Sequence, residues 1–268
     1  MISYQQFTLS NGLQVIVHED QSTTLAVMDV IYDVGSRDES ESKTGFAHLF
    51  EHLMFGGSEN IPDYDTPLQM VGGENNAFTT PDLTNYYISV PFQNLETAFW
   101  LESDRMKQLA FNPQSLEVQR KVVIEEFKQR YLNQPYGDVW LKFRPFIYEK
   151  HPYRWATIGA EIKHIEEATL EDVKAFFNQF YTPKNAILVV AGRVNFEEVK
   201  ALAEKWFGPI PSGEKPQRNL PKEPALKENK KMEIEAEVPS NRIYKAFHVV
   251  GRYDKDFHSI DLMSDLLG

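Results

Sequence analysis

The stretch from Gly45 to Phe55 constrains the fold more than any other part of the sequence. It is apolar except for two histidines and a glutamate, which favours a helix packed against a core. His48 and His52 stand four residues apart, so on an α-helix they lie one above the other on the same face. Glu51 falls beside that face. The spacing predicts two metal ligands with a candidate general base next to them.

The order His-x-x-Glu-His is the inverted zinc-peptidase motif. It favours a metal site over the alternative, a helix whose two histidines occupy hydrogen-bonded core positions. A catalytic zinc takes three protein ligands and keeps a fourth position for water. The motif supplies two of them, so another part of the chain must supply the third. We expect one Zn²⁺ per chain.

Composition narrows the classes of partner. The chain has 268 residues and a formal net charge of -11, which leaves no basic surface for nucleic acid. Its apolar runs are too short to span a bilayer, so we expect no membrane partner. Cysteine is absent, which excludes disulfides and thiolate metal sites. No signal-peptide pattern is visible after Met1, which favours the bacterial cytoplasm and leaves the periplasm open.

Alternating and turn-flanked segments predict strands around the motif helix. Asn11-Gly12 is a strong hairpin turn, and Thr24 to Val34 reads as a longer β-branched strand. The polar run from Asn76 to Thr79 is either an exposed sheet edge or a loop. Further on, Pro113 to Tyr131 has helical periodicity and places Gln119 and Glu126 along one stripe.

A proline-rich, charged segment predicts the domain boundary. We expect a first domain at residues 1–208, a linker at 209–228 and the beginning of a second domain at 229–268. Lys231 to Ala236 and Arg242 to Val250 read as strands.

The end of the sequence has the same order of elements as its beginning. A strand, a polar turn and a helix from Ser259 to Leu267, closed by Gly268, repeat the pattern around the motif helix without its metal ligands. The chain stops inside that helix, and we expect a fragment of a longer protein. The sequence therefore predicts a duplicated module whose second copy is truncated.

Several blocks together give the chain a strong resemblance to the M16 metallopeptidases, the pitrilysin and mitochondrial-processing-peptidase family, in the bacterial type built from two similar halves. The blocks are Gly35-Ser-Arg-Asp-Glu39, Gly45-Phe-Ala-His48-Leu-Phe-Glu51-His52-Leu-Met-Phe-Gly56, Asn76-Ala-Phe-Thr79, Thr84-Asn-Tyr-Tyr87 and Arg120-Lys-Val-Val-Ile-Glu-Glu126. The resemblance implies an α+β, LuxS/MPP-like metallohydrolase fold. Such a fold has a mostly antiparallel sheet flanked by helices, followed here by the start of a second similar domain.

The resemblance also implies roles for the residues of these blocks. It makes Glu126 the third zinc ligand, beside His48 and His52, and leaves Glu51 as the base that takes a proton from the attacking water. Glu125 would point away around the helix and is expected to be solvated. A second glutamate of many relatives is replaced by Gln119, which would act only by hydrogen bonding near the metal.

The implied activity is that of a zinc-dependent endopeptidase acting on extended peptides or unfolded polypeptides. The strand containing Asn76, Ala77, Phe78 and Thr79 would bind the substrate by edge pairing. In full-length relatives an opposing half supplies an Arg-Tyr pair, which would lie beyond Gly268. Expected partners are therefore this missing C-terminal half, a homologous subunit or a second copy in a homodimer. Two alternatives stay open, a catalytically silent or partner-dependent subunit and a metal-free α/β interaction module.

Overall fold

A six-stranded sheet is the centre of the computed structural model, which describes residues 2–267. Its order is β1-β2-β6-β3-β5-β4. Strands β2 and β6 run parallel, and the other neighbouring pairs are antiparallel, which confirms the expected mostly antiparallel sheet. The strands are β1 (Gln5–Thr8), β2 (Gln14–Glu19), β3 (Leu25–Tyr32), β4 (Glu74–Thr79), β5 (Thr84–Pro91) and β6 (Ala186–Gly192).

Helices cover the apolar face of this sheet. Along β3, Ala26, Met28, Val30 and Tyr32 are buried while the residues between them are more exposed, as the period-two geometry of a strand requires. These side chains join buried residues of the helices in one apolar cluster. The helices in this part of the chain are α1 (Phe46–Leu53), α2 (Asp65–Met70), α3 (Leu95–Lys107), α4 (Pro113–Phe127), α5 (Val139–Ile147), α6 (Ile162–Glu166), α7 (Leu170–Phe180) and α8 (Phe196–Trp206). A further helix, α9 (Phe257–Leu267), lies near the end of the chain and is described with the second unit below.

The β4–β5 hairpin lies at one end of the sheet, so the Asn76 to Thr79 run is an edge strand and not a loop. Its turn is held against the loop after β3, where the Arg37 N–H donates to the carbonyl oxygen of Pro81 at 3.0 Å. Gly35 permits this approach, because a Cβ there would lie 2.4 Å from the Thr80 carbonyl oxygen. The contact fixes the end of β4, which contains Thr79.

The chain divides into two compact units, Met1–Lys222 and Glu223–Gly268. The division falls inside the expected linker at 209–228. Residues before it belong to the first unit, where the Arg218 guanidinium forms ion pairs with Asp33 at 2.8 Å and with Asp38. The domain limits drawn from the sequence stay a prediction.

The second unit contains α9 and extended chain. The strands expected at 231–236 and 242–250 were wrong, because the structure places both segments in irregular backbone. A strand needs a neighbour for its N–H and C=O groups, and the described part of this unit offers none. Gly268, the expected end of the last helix, lies outside the described residues. Within residues 2–267 no helix has the length and apolar character needed to cross a membrane.

Candidate metal centre

Helix α1 starts at a tightly built turn. Gly45 has a φ of 85°, in the left-handed region, and a Cβ there would lie 2.5 Å from the carbonyl oxygen of Ile158. The carboxylate of Glu39 accepts hydrogen bonds from the Gly45 N–H at 2.9 Å and the Ala47 N–H at 2.8 Å. These bonds satisfy free donors at the helix start. Burial raises the pKa of Glu39 to about 8, and the turn fixes where α1 begins.

The two histidines of α1 lie on one face, as their spacing predicts. Their ring centroids are 4.8 Å apart and the ring planes are nearly perpendicular. Burial lowers the pKa of His48 to about 4, although the nearby Glu126 carboxylate acts in the opposite direction. His48 is therefore neutral at pH 7, the state in which an imidazole nitrogen binds a metal.

Helix α4 brings Glu126 to the same place. Its Oε2 atom lies 3.6 Å from Nε2 of His48 and 3.3 Å from Nε2 of His52. Contact with His52 lowers the pKa of Glu126, and burial opposes this shift. One ligand atom from each of the three residues lies within 4.8 Å of the others. The structure thus brings together all three ligands expected from the sequence and the resemblance.

These three residues fit a zinc ion. Two ligand atoms at ~2.0–2.1 Å from zinc in a tetrahedral site are about 3.3 Å apart, close to the separations between Glu126 and the histidines. Those separations exceed an ordinary hydrogen bond of about 2.9 Å. The donor set of two imidazoles and one carboxylate is typical of catalytic zinc.

Glu51 lies beside the three ligands and contacts β4. Its Oε2 atom accepts a hydrogen bond of 2.6 Å from the Thr79 hydroxyl. Burial raises the pKa of Glu51, while the Thr79 bond and the charge of His52 lower it. The sequence placed Thr79 in a substrate-binding strand but did not reveal this contact. It depends on β4 meeting α1, which no local pattern encodes.

Arg130 is a neighbour of the site that the sequence analysis missed. Its Nη1 atom lies 3.0 Å from Oε1 of Glu126, the oxygen that does not face the histidines. It belongs to a π-helical turn, Lys128–Leu132, that follows α4. The acid-to-arginine spacing of four residues could have indicated the pair. Glu125 forms an exposed ion pair with Lys128 at 2.6 Å, in line with the solvated position expected for it.

The remaining predicted residues lie around the site without joining it. Gln119 is half-buried on α4, and within the described residues no hydrogen bond links it to Glu126, so its role stays a prediction. Along β4, Asn76 and Phe78 are exposed and Ala77 is half-buried. In the described sheet, β4 has β5 as its only strand neighbour, so its other backbone edge can accept an extended chain.

Comparison with known proteins agrees with this geometry. The family profile described as Insulinase (Peptidase family M16) matches residues 14–139, and that described as Peptidase M16 inactive domain matches residues 167–268. The chain is 38% identical over 207 residues to the zinc protease PqqE of Helicobacter pylori, covering 76% of this chain and 46% of that protein.

A further relative and a solved structure extend the comparison. The mitochondrial-processing peptidase subunit beta of Saccharomyces cerevisiae is 29% identical over 210 residues, covering 78% of this chain and 45% of that protein. A crystal structure of a protease from Helicobacter pylori matches with a TM-score of 0.77 and 35% identity, covering 84% of this chain and 55% of the other. The chain thus spans about half the length of the curated relatives it matches.

Proposed function

The chain belongs to peptidase family M16, and on that premise we propose that it forms the zinc-binding half of an endopeptidase that cleaves extended peptides or unfolded polypeptides. One observation carries this proposal. His48 and His52 on α1 meet Glu126 of α4, with Glu51 beside them, in a donor set suited to one zinc ion.

The chain's own side chains would divide the work of hydrolysis. Zinc held by His48, His52 and Glu126 would supply an activated water and a Lewis acid for the peptide carbonyl. Glu51 takes a proton from the attacking water and delivers it to the leaving amine. The Thr79 hydroxyl donates a hydrogen bond to this carboxylate and so fixes one of its oxygens. His48, His52 and Glu126 hold the metal.

Strand β4 would supply substrate binding. Its free edge can pair with the backbone of an extended peptide, so that the main chain is recognised more than any one side chain. This mode explains why we assign unfolded or extended polypeptides as substrates. Asn76, Ala77 and Phe78 are the residues of β4 that would lie along the bound peptide.

A second half would complete the enzyme. The chain covers 46% of the Helicobacter pylori relative, and the yeast relative is named as one subunit of a peptidase. Positioning the carbonyl and excluding water need a second wall over the site. We therefore include a C-terminal half or a homologous subunit as partner, with a second copy of this chain as the alternative. Alone, the chain would hold zinc and cleave peptides poorly.

The first test is metal binding by the purified chain after treatment with a chelator. Zinc titration should give one ion per chain, and His48→Ala or His52→Ala should weaken binding by more than the roughly 100-fold typical of residues that only support a ligand. His164→Ala is the matched control, since His164 contacts Thr44 just before α1 yet lies outside the ligand set. Full zinc occupancy in both histidine variants would overturn the proposal.

The second test separates the base from the ligands and requires a complete enzyme. We suggest a chimera in which residues 1–208 of this chain replace the matching part of the Helicobacter pylori zinc protease. In this M16 chimera, Glu51→Gln should keep zinc and lower peptide hydrolysis by roughly 10²-fold or more. Loss of zinc would make Glu51 a ligand, and unchanged hydrolysis would reduce it to a structural residue. Equal cleavage by the chain alone would remove the need for a second half.

A further inference from the structure

The two carboxylate oxygens of Glu126 have different neighbours. Oε2 faces the Nε2 atoms of His48 and His52, at 3.6 Å and 3.3 Å. Oε1 faces Arg130, whose Nη1 atom lies 3.0 Å away. Oε2 is therefore the oxygen that faces the histidine nitrogens, while Oε1 faces a cation. The carboxylate is therefore held in one orientation before any metal arrives.

Arg130 reaches Glu126 because of the local backbone. Residues Lys128–Leu132 form a π-helical turn after α4, closed by a hydrogen bond from the Asn133 N–H to the Lys128 carbonyl oxygen at 2.8 Å. Such turns in helices often occur at functional sites. The Arg130 side chain is 70% exposed, whereas that of Glu126 is 19% exposed. Arg130 thus covers Glu126 from the solvent side and does not belong to the core.

We propose that Arg130 is a positioning residue that holds Oε1 of Glu126, so that Glu126 offers the metal a single oxygen, Oε2. This inference rests on the proposed zinc site and adds to it a residue that determines how the carboxylate ligand binds. A free carboxylate can bind a cation through one or both oxygens. With Oε1 held by Arg130, the protein occupies three positions and leaves the fourth for water, as a catalytic zinc requires.

Charge alone would have the opposite consequence. An arginine close to a divalent cation repels it, so a purely electrostatic role predicts tighter metal binding when Arg130 is removed. Solvent screens this repulsion because Arg130 is largely exposed. The orienting contact is screened less, since it is a direct ion pair in which Arg130 Nη1 lies 3.0 Å from the ligand's own carboxylate. The two roles therefore predict changes of opposite sign in metal affinity.

The experiment uses the full chain in metal-free form, with zinc affinity measured by competition against a chromophoric chelator. Arg130→Ala should weaken zinc binding by about 10-fold, the lower end of the range for partners that orient a ligand. Arg130→Lys keeps one donor and one charge and should bind zinc like the unmodified chain. Lys128→Ala is the matched control, because it removes a cation from the same turn, where Lys128 contacts Glu125 and not the ligand.

Cobalt(II) gives a second readout that a merely structural role would not change. Its visible absorption is stronger in four-coordinate than in five-coordinate sites. Loading with cobalt should give a less intense spectrum in Arg130→Ala, because Glu126 can then bind through both oxygens. The spectra of Arg130→Lys and Lys128→Ala should match that of the unmodified chain.

Each outcome decides the matter. Weaker zinc binding with a less intense cobalt spectrum in Arg130→Ala alone supports the inference. Tighter or unchanged binding with an unchanged spectrum overturns it while leaving the proposed zinc site intact. Failure of the unmodified chain to bind zinc would overturn the site and this inference together. Thermal unfolding of the metal-free variants should be unchanged, since Arg130 is exposed.

Discussion

Two clusters of ionisable side chains in this protein differ in how closely their charged groups are paired. The sealed pair, Glu102 and Arg105 on α3, is 1% exposed at both side chains. Arg105 Nε donates to Glu102 at 2.9 Å, the Tyr64 hydroxyl donates to the same carboxylate at 2.6 Å, and the Cζ atom of Arg105 lies 4.5 Å from the ring centroids of Tyr64 and Tyr86. Every oxygen of the carboxylate has a partner, and aromatic faces cover the cation.

The second cluster, His48, His52 and Glu126, is called the open trio. Its members do not form such close contacts with one another. Its nitrogen–oxygen separations of 3.3 and 3.6 Å are too long for strong hydrogen bonds. On α3 both carboxylate oxygens are paired at close range, although Nη1 of Arg105 has no hydrogen-bond partner among the described residues, whereas the Glu126 oxygen that faces the histidines has only longer contacts with them. The difference favours a structural role for the sealed pair and supports the proposal that the trio binds a metal.

Breaking the sealed pair should have the largest effect. Arg105→Ala leaves the buried Glu102 carboxylate without its cation, and we expect the free energy of unfolding to fall by about 4 kcal/mol. Urea unfolding of the metal-free chain, followed by circular dichroism, measures this. Arg193→Ala is the matched control, since exposed Arg193 also lies 4.5 Å from an aromatic ring, that of Phe92. Equal losses of unfolding free energy in the two variants would show that the Glu102–Arg105 pair does not have this structural role.

The second-largest expected effect is that of zinc on the free energy of unfolding, which should differ between variants of the two clusters. At a free concentration of 100 times its Kd, zinc should raise the free energy of unfolding by about 2.7 kcal/mol, because it binds the folded chain. His52→Ala should lose this increment, whereas Arg105→Ala should keep it despite its lower starting stability. The same urea titrations with and without zinc give both values. An increment that survived in His52→Ala, or vanished in Arg105→Ala, would contradict the division between ligand site and structural pair.

A smaller effect, that of pH on stability, should also distinguish the two clusters. The folded metal-free chain keeps His48 neutral down to about pH 4, whereas the unfolded chain protonates it near its usual pKa of 6.5. The unfolded state therefore binds the extra proton, and the stability contributed by neutral His48 is lost as pH falls from about 6.5 to 4. Arg105, whose pKa is lowered by burial but raised more by Glu102 and Tyr64, stays charged throughout.

The measurement is the stability of the metal-free chain minus that of His48→Gln, followed across this range. We expect the difference to shrink with falling pH. Saturating zinc should flatten it as long as the metal stays bound, since the bound imidazole cannot take a proton. A difference that grew as the pH fell would contradict the assignment of His48 as a buried neutral imidazole.

The sequence predicted well those features that depend on local spacing. The His48 and His52 pair follows from one helical turn, and the hairpin at Asn11-Gly12 follows from turn chemistry. Glu126 lies on a different helix, and no periodicity could bring it to α1. Its assignment needed the resemblance, and the structure then placed it beside the histidines. Similarity to a family supplied what local rules could not.

Apart from the Glu126–Arg130 pair, whose spacing is local, the features that the sequence missed depend on separate elements meeting in space. Nothing near Glu102 or Arg105 in the sequence shows that three aromatic rings from other segments surround the guanidinium. The strands expected after residue 230 failed for a related reason, since a strand forms only where a partner strand is available. Alternating hydrophobicity indicates a strand but does not supply its neighbour.

The smallest predicted effect concerns Glu51, which stands between the two extremes of the comparison. Glu102 has partners for both carboxylate oxygens, and Glu126 faces the histidines only at longer distances. Glu51 lies between these cases, because one hydroxyl, that of Thr79, donates to it at 2.6 Å. Thr79→Val keeps the shape of the side chain and removes the donor. In the M16 chimera we expect kcat to fall by about 10-fold, the low end for a hydrogen bond to a charged group. Zinc binding should not change.

KM distinguishes this role from the one expected from the sequence. If the Thr79 side chain bound substrate, its loss would raise KM and spare kcat. If it orients Glu51, KM stays constant because β4 still offers its backbone to the peptide, and kcat falls. Thr79→Ser, which keeps the hydroxyl, should restore kcat only if orientation is what matters. Three results would contradict this role: a rise in KM alone, an unchanged kcat, or a serine variant as slow as the valine variant. Each would show that Glu51 works without the Thr79 hydrogen bond, and Glu51 would then be grouped with the open trio.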